Sequence, residues 1–308
     1  MRGGGMTADG EDETALAEAF EAERPRLLRV AYTTTGSLAE AEDCVQEAWL
    51  RLRRLADPSE VRDLRGWLTT VVARLALDTL GSARARREQY VGTWLPEPLV
   101  RPEGDGRGPA PDPADRVTLD ESVSMALLVV LEQLSPAQRT AFVLHDVFAV
   151  PFDEVAEVVG RSPAAVRQLA ARARRDLRRA RPSAPATADE QRAVVRAFTT
   201  ACEEGDLAAL TALLDPDVVC RGDGGGRVAA LPRPLRGAAR VAHALLRLLR
   251  GQELAMSHVT VNGEPGLALR STDGVLSVLA FTVDGGRITA LDAVRNPEKL
   301  RHVTLRRP

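Results

Sequence analysis

The sequence predicts a multidomain chain: two all-α domains, the second with a helix-turn-helix, followed by an α+β cone. Three observations predict it. Apolar residues recur at three- and four-residue spacing through 13–88 and 119–181, the period of helices that pack by one face. Two short helical patterns joined at a glycine, within 150–181, end in a run of arginines. Beyond 188 the pattern changes to β-rich runs separated by Asn-Gly and Asp-Gly turns. With 308 residues, 44% of them hydrophobic, there is apolar material for separate cores. The expected division is a disordered leader at 1–12, a helical domain at 13–88, a linker at 89–118, a second helical domain at 119–181, a short linker at 182–188, and the α+β domain at 189–308.

Residues 13–35 make one amphipathic helix with the stripe Leu16, Phe20, Leu27, Leu28, Ala31 and Tyr32, bent at Pro25 and closed by Gly36. Ser37 caps the next helix, and Glu40 stands where a capping box needs it. That helix buries Ala41, Cys44, Val45, Ala48, Leu52 and Leu55. Its other face carries Asp43, Gln46, Glu47, Leu50, Arg51 and Arg54. On pattern alone this is a polar face with ion pairs three and four apart. After a polar loop at 56–65, a helix from 66 turns Trp67, Leu68, Val71, Val72, Leu75 and Leu80 inward. Arg74, Asp78, Arg84, Arg86 and Arg87 lie outward or at its end. Trp49 and Trp67 read as core residues.

Two prolines, Pro96 and Pro98, keep YVGTWLPEPL out of regular helix. Trp94 and Leu95 would be exposed in a free linker, so they are expected to bind something. Residues 101–116, rich in Pro, Gly and Asp, are expected to be disordered because nothing there offsets the ordering entropy. Two helices follow in 119–148, the second capped by Ser135 with Pro136 in its first turn, supporting the helix-turn-helix from behind. His145 reads as a structural histidine.

In the helix-turn-helix, Phe152, Val155, Ala156 and Val159 share a face, Gly160 ends the first helix, and Ser162 and Pro163 open the second. Val166, Leu169, Ala170 and Ala173 face inward. From Arg161 to Arg181 there are eight arginines against one acid, Asp176. Arg167, Gln168, Ala171 and Arg172 project near the start of the second helix, where side chains reach base edges. The later arginines suit phosphates. The net charge of −2 hides this patch, since residues 11–23 hold six acids and no base.

EDCVQEAWLRLRRL, LRGWLTTVVARLALDTL and the helix-turn-helix, in that order, resemble the sigma-70 family, in its small extracytoplasmic-function form with only the two essential sigma domains. The resemblance implies that core RNA polymerase and promoter DNA are partners. Asp43, Gln46, Glu47, Leu50 and Arg51 would dock on the clamp helices of the largest polymerase subunit. The loop at 56–65 and helix 66–87 would engage the −10 element, through Arg65, Arg74, Asp78, Arg84, Arg86 and Arg87. The helix-turn-helix would read the −35 element through Ser162, Ala164, Ala165, Arg167, Gln168, Ala171, Arg172 and Arg175. Arg161 departs from the pattern, which often has an aliphatic residue there.

The remainder shows helices at 189–204, 206–214 and about 236–250, then strands in LAMSHVTV, LALRS, VLSVLAFTV and RITALDAV. This order of helices and a curled antiparallel sheet resembles the SnoaL-like fold across about 187–304. Trp94, Leu95 and Pro96 in the linker, the DGGGR segment (Asp223, Gly224, Gly225, Gly226, Arg227) and NPEKL (Asn296, Pro297, Glu298, Lys299, Leu300) resemble motifs of the sigma subgroup carrying such a domain. There the linker lies near the polymerase active-site channel and the domain tunes sigma activity from within the chain. Arg227 and Glu298 replace the usual Lys and Asp. NPEKL starts as a turn and opens a short final helix. Such cones often enclose a pocket, so an unknown small molecule is a third candidate partner.

A pocket enzyme would use Asp217, Asp223, His243, His258 or Asp292, but no two stand at a spacing that demands a joint role, and His243 reads as a core or pocket-wall residue. The expectation is a sigma factor and not an enzyme. The competing readings are a DNA-binding regulator that does not touch polymerase, and a pocket enzyme or ligand sensor on a DNA-binding scaffold. No cofactor or metal is called for: Cys44, Cys202 and Cys220 are far apart, which suits a reducing cytoplasm. No apolar run approaches membrane-spanning length. Met6 is an alternative start.

Overall fold

The computed structural model describes residues 8–55, 61–88, 90–103, 123–180, 186–249 and 254–304, without the side chains of 8–12, 84–88 and 180. They fall into two compact units, one of residues 8–55, 61–80 and 136–171, the other of 81–88, 90–103, 123–135, 172–180, 186–249 and 254–304.

The first unit opens with α1 (Ala8–Thr35), which runs through Pro25. It starts five residues before the expected helix, so 8–12 do not belong to a disordered leader. Gly36 closes it at φ 74°, its N–H reaching Tyr32 O at 2.7 Å. In α2 (Leu38–Arg53) the Ser37 hydroxyl accepts from Glu40 N–H, and Ala41, Cys44, Val45, Ala48 and Leu52 are buried as expected. In α3 (Leu64–Glu88), Leu68, Val72, Ala73, Ala76 and Leu80 form the buried stripe. It begins two residues early because the Asp63 carboxylate accepts the Gly66 N–H at 3.0 Å. Trp49 and Trp67 are half-buried; Trp49 leans on Phe20, centroids 4.9 Å apart.

In the same unit α5 (Pro136–Phe142) continues into a π-turn over Val143–Val147, then α6 (Phe152–Val159). Arg139 of α5 is 1% exposed. Its Nε and Nη2 donate to Thr33 O at 3.3 and 3.2 Å, so a buried cation sits on a carbonyl in the last turn of α1, the negative end of that helix.

The second unit is a seven-stranded sheet, order β1-β4-β5-β6-β7-β2-β3. Its strands are β1 (Val100–Pro102), β2 (Leu214–Asp223), β3 (Leu235–Arg236), β4 (Leu254–Val261), β5 (Glu264–Ser271), β6 (Leu276–Asp284) and β7 (Arg287–Val294). β4 to β7 form the expected meander, and the Asn262-Gly263 turn has both residues at positive φ. Three features correct the sequence reading. The sheet is mixed, since β2 pairs parallel with β7. β2 itself was hidden: Asp, Pro and Gly made it look like turns, and its Pro216 falls where the register shifts between Leu214 and Val219. Residues 100–102, expected to be linker, are an edge strand on β4.

One face of the sheet is covered by α8 (Ala188–Glu204), α9 (Leu207–Leu213) and α10 (Ala238–Leu249), with Phe198, Leu210, Val218, Cys220, Val241, Phe281 and Leu291 in their common core. The other face packs Val259, Val261, Ala268, Val278, Ala280 and Val294 against Leu95, Met125, Val129, Leu300 and Val303. Met125 and Val129 belong to α4 (Met125–Leu131), capped by Ser124 and shorter than expected. That face of α4 therefore packs on the sheet, where the sequence reading had it backing the helix-turn-helix.

Candidate functional sites: a polar ridge, a basic helix and a clasped linker

On α2 the ridge faces outward. Asp43, Gln46 and Arg51 are exposed; Glu47 and Leu50 are half-exposed. Arg51 Nε donates to Glu47 Oε1 at 3.0 Å, one turn away. Such an exposed pair contributes little to stability, so it does not explain the ridge as a fold requirement.

Of the −10 candidates, Arg65, Arg74 and Asp78 are exposed on α3, while the side chains of Arg84, Arg86 and Arg87 and the loop at 56–60 lie outside the described residues. Arg65 stands 3.8 Å from Glu23. Arg74 Nη2 donates to Glu157 O, near the end of α6, at 3.1 Å.

The helix-turn-helix closes as expected. Gly160 is left-handed at φ 67°, its N–H and that of Arg161 returning to Ala156 O. The Ser162 hydroxyl accepts the Ala165 N–H at 3.3 Å at the start of α7 (Pro163–Ala180). Val166, Leu169, Ala170, Ala173 and Leu177 are buried; Ser162, Ala164, Arg167, Gln168, Arg172 and Arg175 are exposed, and Ala165 and Ala171 half-exposed. The Arg167 guanidinium lies 5.5 Å over the Phe152 ring, which stacks on His145 at 3.6 Å. His145 Nδ1 is 3.0 Å from Val150 O, the structural role expected of it.

The linker is not free. Tyr90 Oη donates to Asp223 Oδ1 at 2.6 Å, and Leu95 N–H donates to Asp223 Oδ2 at 2.9 Å. The same carboxylate takes the Gly225 N–H at 3.0 Å and Lys299 Nζ at 2.7 Å. The Asp223 carbonyl accepts from the N–H groups of Arg295 and Asn296. Lys299 Nζ also donates to Leu95 O and lies 3.9 Å over the Trp94 ring. Asn296 Nδ2 donates to Tyr90 Oη at 2.8 Å. Burial, then the Asp223 carboxylate, push the Tyr90 phenol well above its ordinary pKa and keep it a donor. Trp94, Leu95, DGGGR and NPEKL, apart in sequence, thus share one cluster, and Pro96 beside them is buried. Arg227 and Glu298 form an exposed pair at its rim, 2.9 Å apart. Residues 297–302 form turns and no final helix.

The glycines of DGGGR follow from this packing. A Cβ on Gly224 would stand 2.2 Å from Val228 O, and one on Gly225 2.4 Å from Asn296 Nδ2. Sequence reasoning missed three members of the clasp. Asn262 accepts from Leu99 N–H with Oδ1, donates to Leu99 O through its own N–H, and reaches Val123 O with Nδ2. His302 lies 2.8 Å from Pro98 O and 3.2 Å from Glu97. Tyr90 opens the linker motif and carried a signal; Asn262, read only as a turn residue, and His302 carried none.

The residues considered for catalysis do not converge. Asp217 and His243 are exposed, so His243 is not a core residue. His258 Nε2 faces Thr199 Oγ1 at 3.3 Å. Cys220 and Leu291 point to the helices, so by strand alternation Arg221, Asp223 and Asp292 point to the opposite face. There both Asp292 oxygens are held by Arg221, its paired neighbour on β2. Among the described residues no group of three or more His, Cys, Asp or Glu side chains is placed to hold a metal ion.

An outward polar ridge on one helix, an arginine-rich helix closing a helix-turn-helix, and a linker fastened to an α+β domain make a modular protein of the helix-turn-helix class. The chain matches the models for sigma-70 region 2 over residues 19–86 and sigma-70 region 4 over 124–177. It is 45% identical over 295 residues to "ECF RNA polymerase sigma factor SigJ" of Mycobacterium tuberculosis, covering 91% of each chain. It is 37% identical over 287 residues to "Probable ECF RNA polymerase sigma factor SigI" of the same species, covering 92% of this chain and 94% of the relative. The crystal structure of the M. tuberculosis SigJ aligns at a TM-score of 0.71 and 40% identity, over 94% of this chain and 100% of that one. The chain belongs to the extracytoplasmic-function RNA polymerase sigma factors. Its fold class is the one expected, two helical sigma domains followed by a SnoaL-like α+β domain. No helix among the described residues is long and apolar enough to cross a membrane.

Proposed function

We propose that this sigma factor grips core polymerase by the α2 ridge and restrains itself through the linker clasp. Binding of core polymerase and promoter-specific initiation belong to the family; the residues are our assignment. Asp43, Gln46, Glu47, Leu50 and Arg51 meet the clamp helices of the largest subunit. Arg65, Arg74, Asp78, Arg84, Arg86 and Arg87 serve the −10 element. Ser162, Ala164, Ala165, Arg167, Gln168, Ala171, Arg172 and Arg175 serve the −35 element. The observation that carries the docking assignment is a ridge that faces solvent and contributes nothing to its own core.

Regulation follows from two restraints. The linker that must run beside the polymerase channel is held by Asp223 and Lys299 instead. Arg74, a −10 candidate, is bonded to the helix-turn-helix, although the two promoter elements lie about 25 base pairs, roughly 85 Å, apart at 3.4 Å per pair. The factor must open to work, and the SnoaL-like domain sets how readily the linker is released.

Run-off transcription with purified core polymerase tests the assignment, using the full chain and a form lacking 183–308. At saturating promoter DNA, product is expected from both, with more per molecule from the shortened form. Absence of product from both rejects the sigma assignment; equal product rejects only the restraint.

A further inference from the structure

The SnoaL-like domain carries a second basic surface that the clasp does not use. From Gly224 to Gln252 there are six arginines and no Asp or Glu, in a chain whose net charge is −2. Arg233, Arg236, Arg240 and Arg247 are all exposed, as is His243. Among the described residues none of these four arginines is in an ion pair, whereas Arg227 is held by Glu298. Arg250 lies outside the described residues.

The surface is rigid as well as charged. α10 buries Val241, Ala242 and Leu246 against the sheet, so Arg240, His243 and Arg247, at i, i+3 and i+7, share the face turned to solvent. Arg236 is fixed on the edge strand β3, paired with Val219, and Gly237 N–H holds Val218 O at 2.9 Å. Pro232 and Pro234 stiffen the approach around Arg233. Seven residues of helix separate Arg240 from Arg247, about 10 Å of rise, the axial span of about three phosphates on one DNA strand. Guanidinium groups are the side chains best suited to phosphate oxygens.

We propose that the outer face of β3 and α10 is a phosphate-binding surface for duplex DNA, adding sequence-independent affinity to the base-reading helix α7. The partner is the DNA backbone because the surface offers several fixed cations and no base-reading geometry, and because this chain already works on DNA. The SnoaL-like domain then contributes to promoter binding as well as to restraint.

The test is the salt dependence of promoter binding by holoenzyme made with the full chain, comparing wild type with Arg233→Gln, Arg236→Gln, Arg240→Gln and Arg247→Gln combined. Four lost phosphate contacts lower the slope of log affinity against log salt by up to about 3.6. Between 50 and 200 mM salt the wild type should therefore lose up to about 150-fold more affinity than the variant. The start site of run-off transcripts should not move. Substituting Gln at Arg270, Arg287 and Arg301, exposed elsewhere on the domain, should leave the slope unchanged. Should the fourfold variant fold poorly, the pairs Arg233/Arg236 and Arg240/Arg247 are changed separately, each expected to give about half the slope change. An unchanged slope overturns the proposal. So does a weakened holoenzyme with an unchanged DNA slope, which would turn this surface towards polymerase, or a loss equal to that of the control triple.

Discussion

Asp223 is 0% exposed and gathers the side chains of Tyr90 and Lys299 and the N–H groups of Leu95 and Gly225 on one carboxylate. Lys299 is the single lysine among 41 basic residues. Its compact ammonium reaches Asp223 and Leu95 O while lying over the Trp94 face. Asp223→Ala would strand that ammonium and should cost about 3–5 kcal/mol in urea unfolding followed by tryptophan fluorescence. A cost below about 1 kcal/mol would mean that the linker does not depend on this ion pair. Glu264, at the start of β5, has a pKa pushed up to about 7 by burial. Its protonated form is favoured in the folded state, so its contribution to stability is complete below the ordinary carboxylate range and is lost as pH rises through about 7. Stability of the full chain should fall over that window, and Glu264→Gln should flatten the fall. An unaltered pH profile would exclude Glu264 as the source.

Among the elements, α2 and α7 show how much an amphipathic pattern conveys. Ala41, Cys44, Val45, Ala48 and Leu52 on one, and Val166, Leu169, Ala170 and Ala173 on the other, are buried as their spacing requires, because a helix can bury only one stripe. The opposite faces follow by subtraction. Asp43→Ala with Gln46→Ala should lower co-purification with core polymerase while leaving thermal unfolding nearly unchanged, since both are exposed. Undiminished recovery of polymerase would exclude these two from the docking surface. On α7, the Arg167 guanidinium, which we assign to base contact, lies over the Phe152 ring. Arg167→Ala should weaken transcription selectively from promoters with one particular −35 base pair, by about 1–3 kcal/mol if the contact is bidentate. Equal loss on every promoter would make it a phosphate contact. β2 shows where pattern failed: Pro216 and the register shift beside it erase the period of two, yet the strand is held between β7 and β3.

At the scale of the molecule, the decisive feature is that the interdomain linker is part of the SnoaL-like unit. Val100–Pro102 extend its sheet, Leu95 enters its core, and Leu99 is bonded in both directions to Asn262. The amides of Leu95 and Leu99 should exchange slowly with solvent in the free factor and much faster once core polymerase is added. Continued protection in holoenzyme would mean that the clasp stays shut during initiation. The sequence marked Trp94 and Leu95 as too apolar to stay free. It did not say what they bind, because their partners, Asp223, Lys299 and the outer face of β4 to β7, lie more than a hundred residues away.

The sequence by itself determined the helical domains, the helix-turn-helix and the β meander, since each rests on contacts between near neighbours: caps, one-face periodicity and glycine turns. It also marked the three motifs of the clasp without joining them. Only the tertiary structure decided that they meet, that the sheet is mixed, and that α4 and the linker lie on its outer face. Those outcomes depend on long-range pairing and on which apolar surface covers which, and no local pattern encodes either.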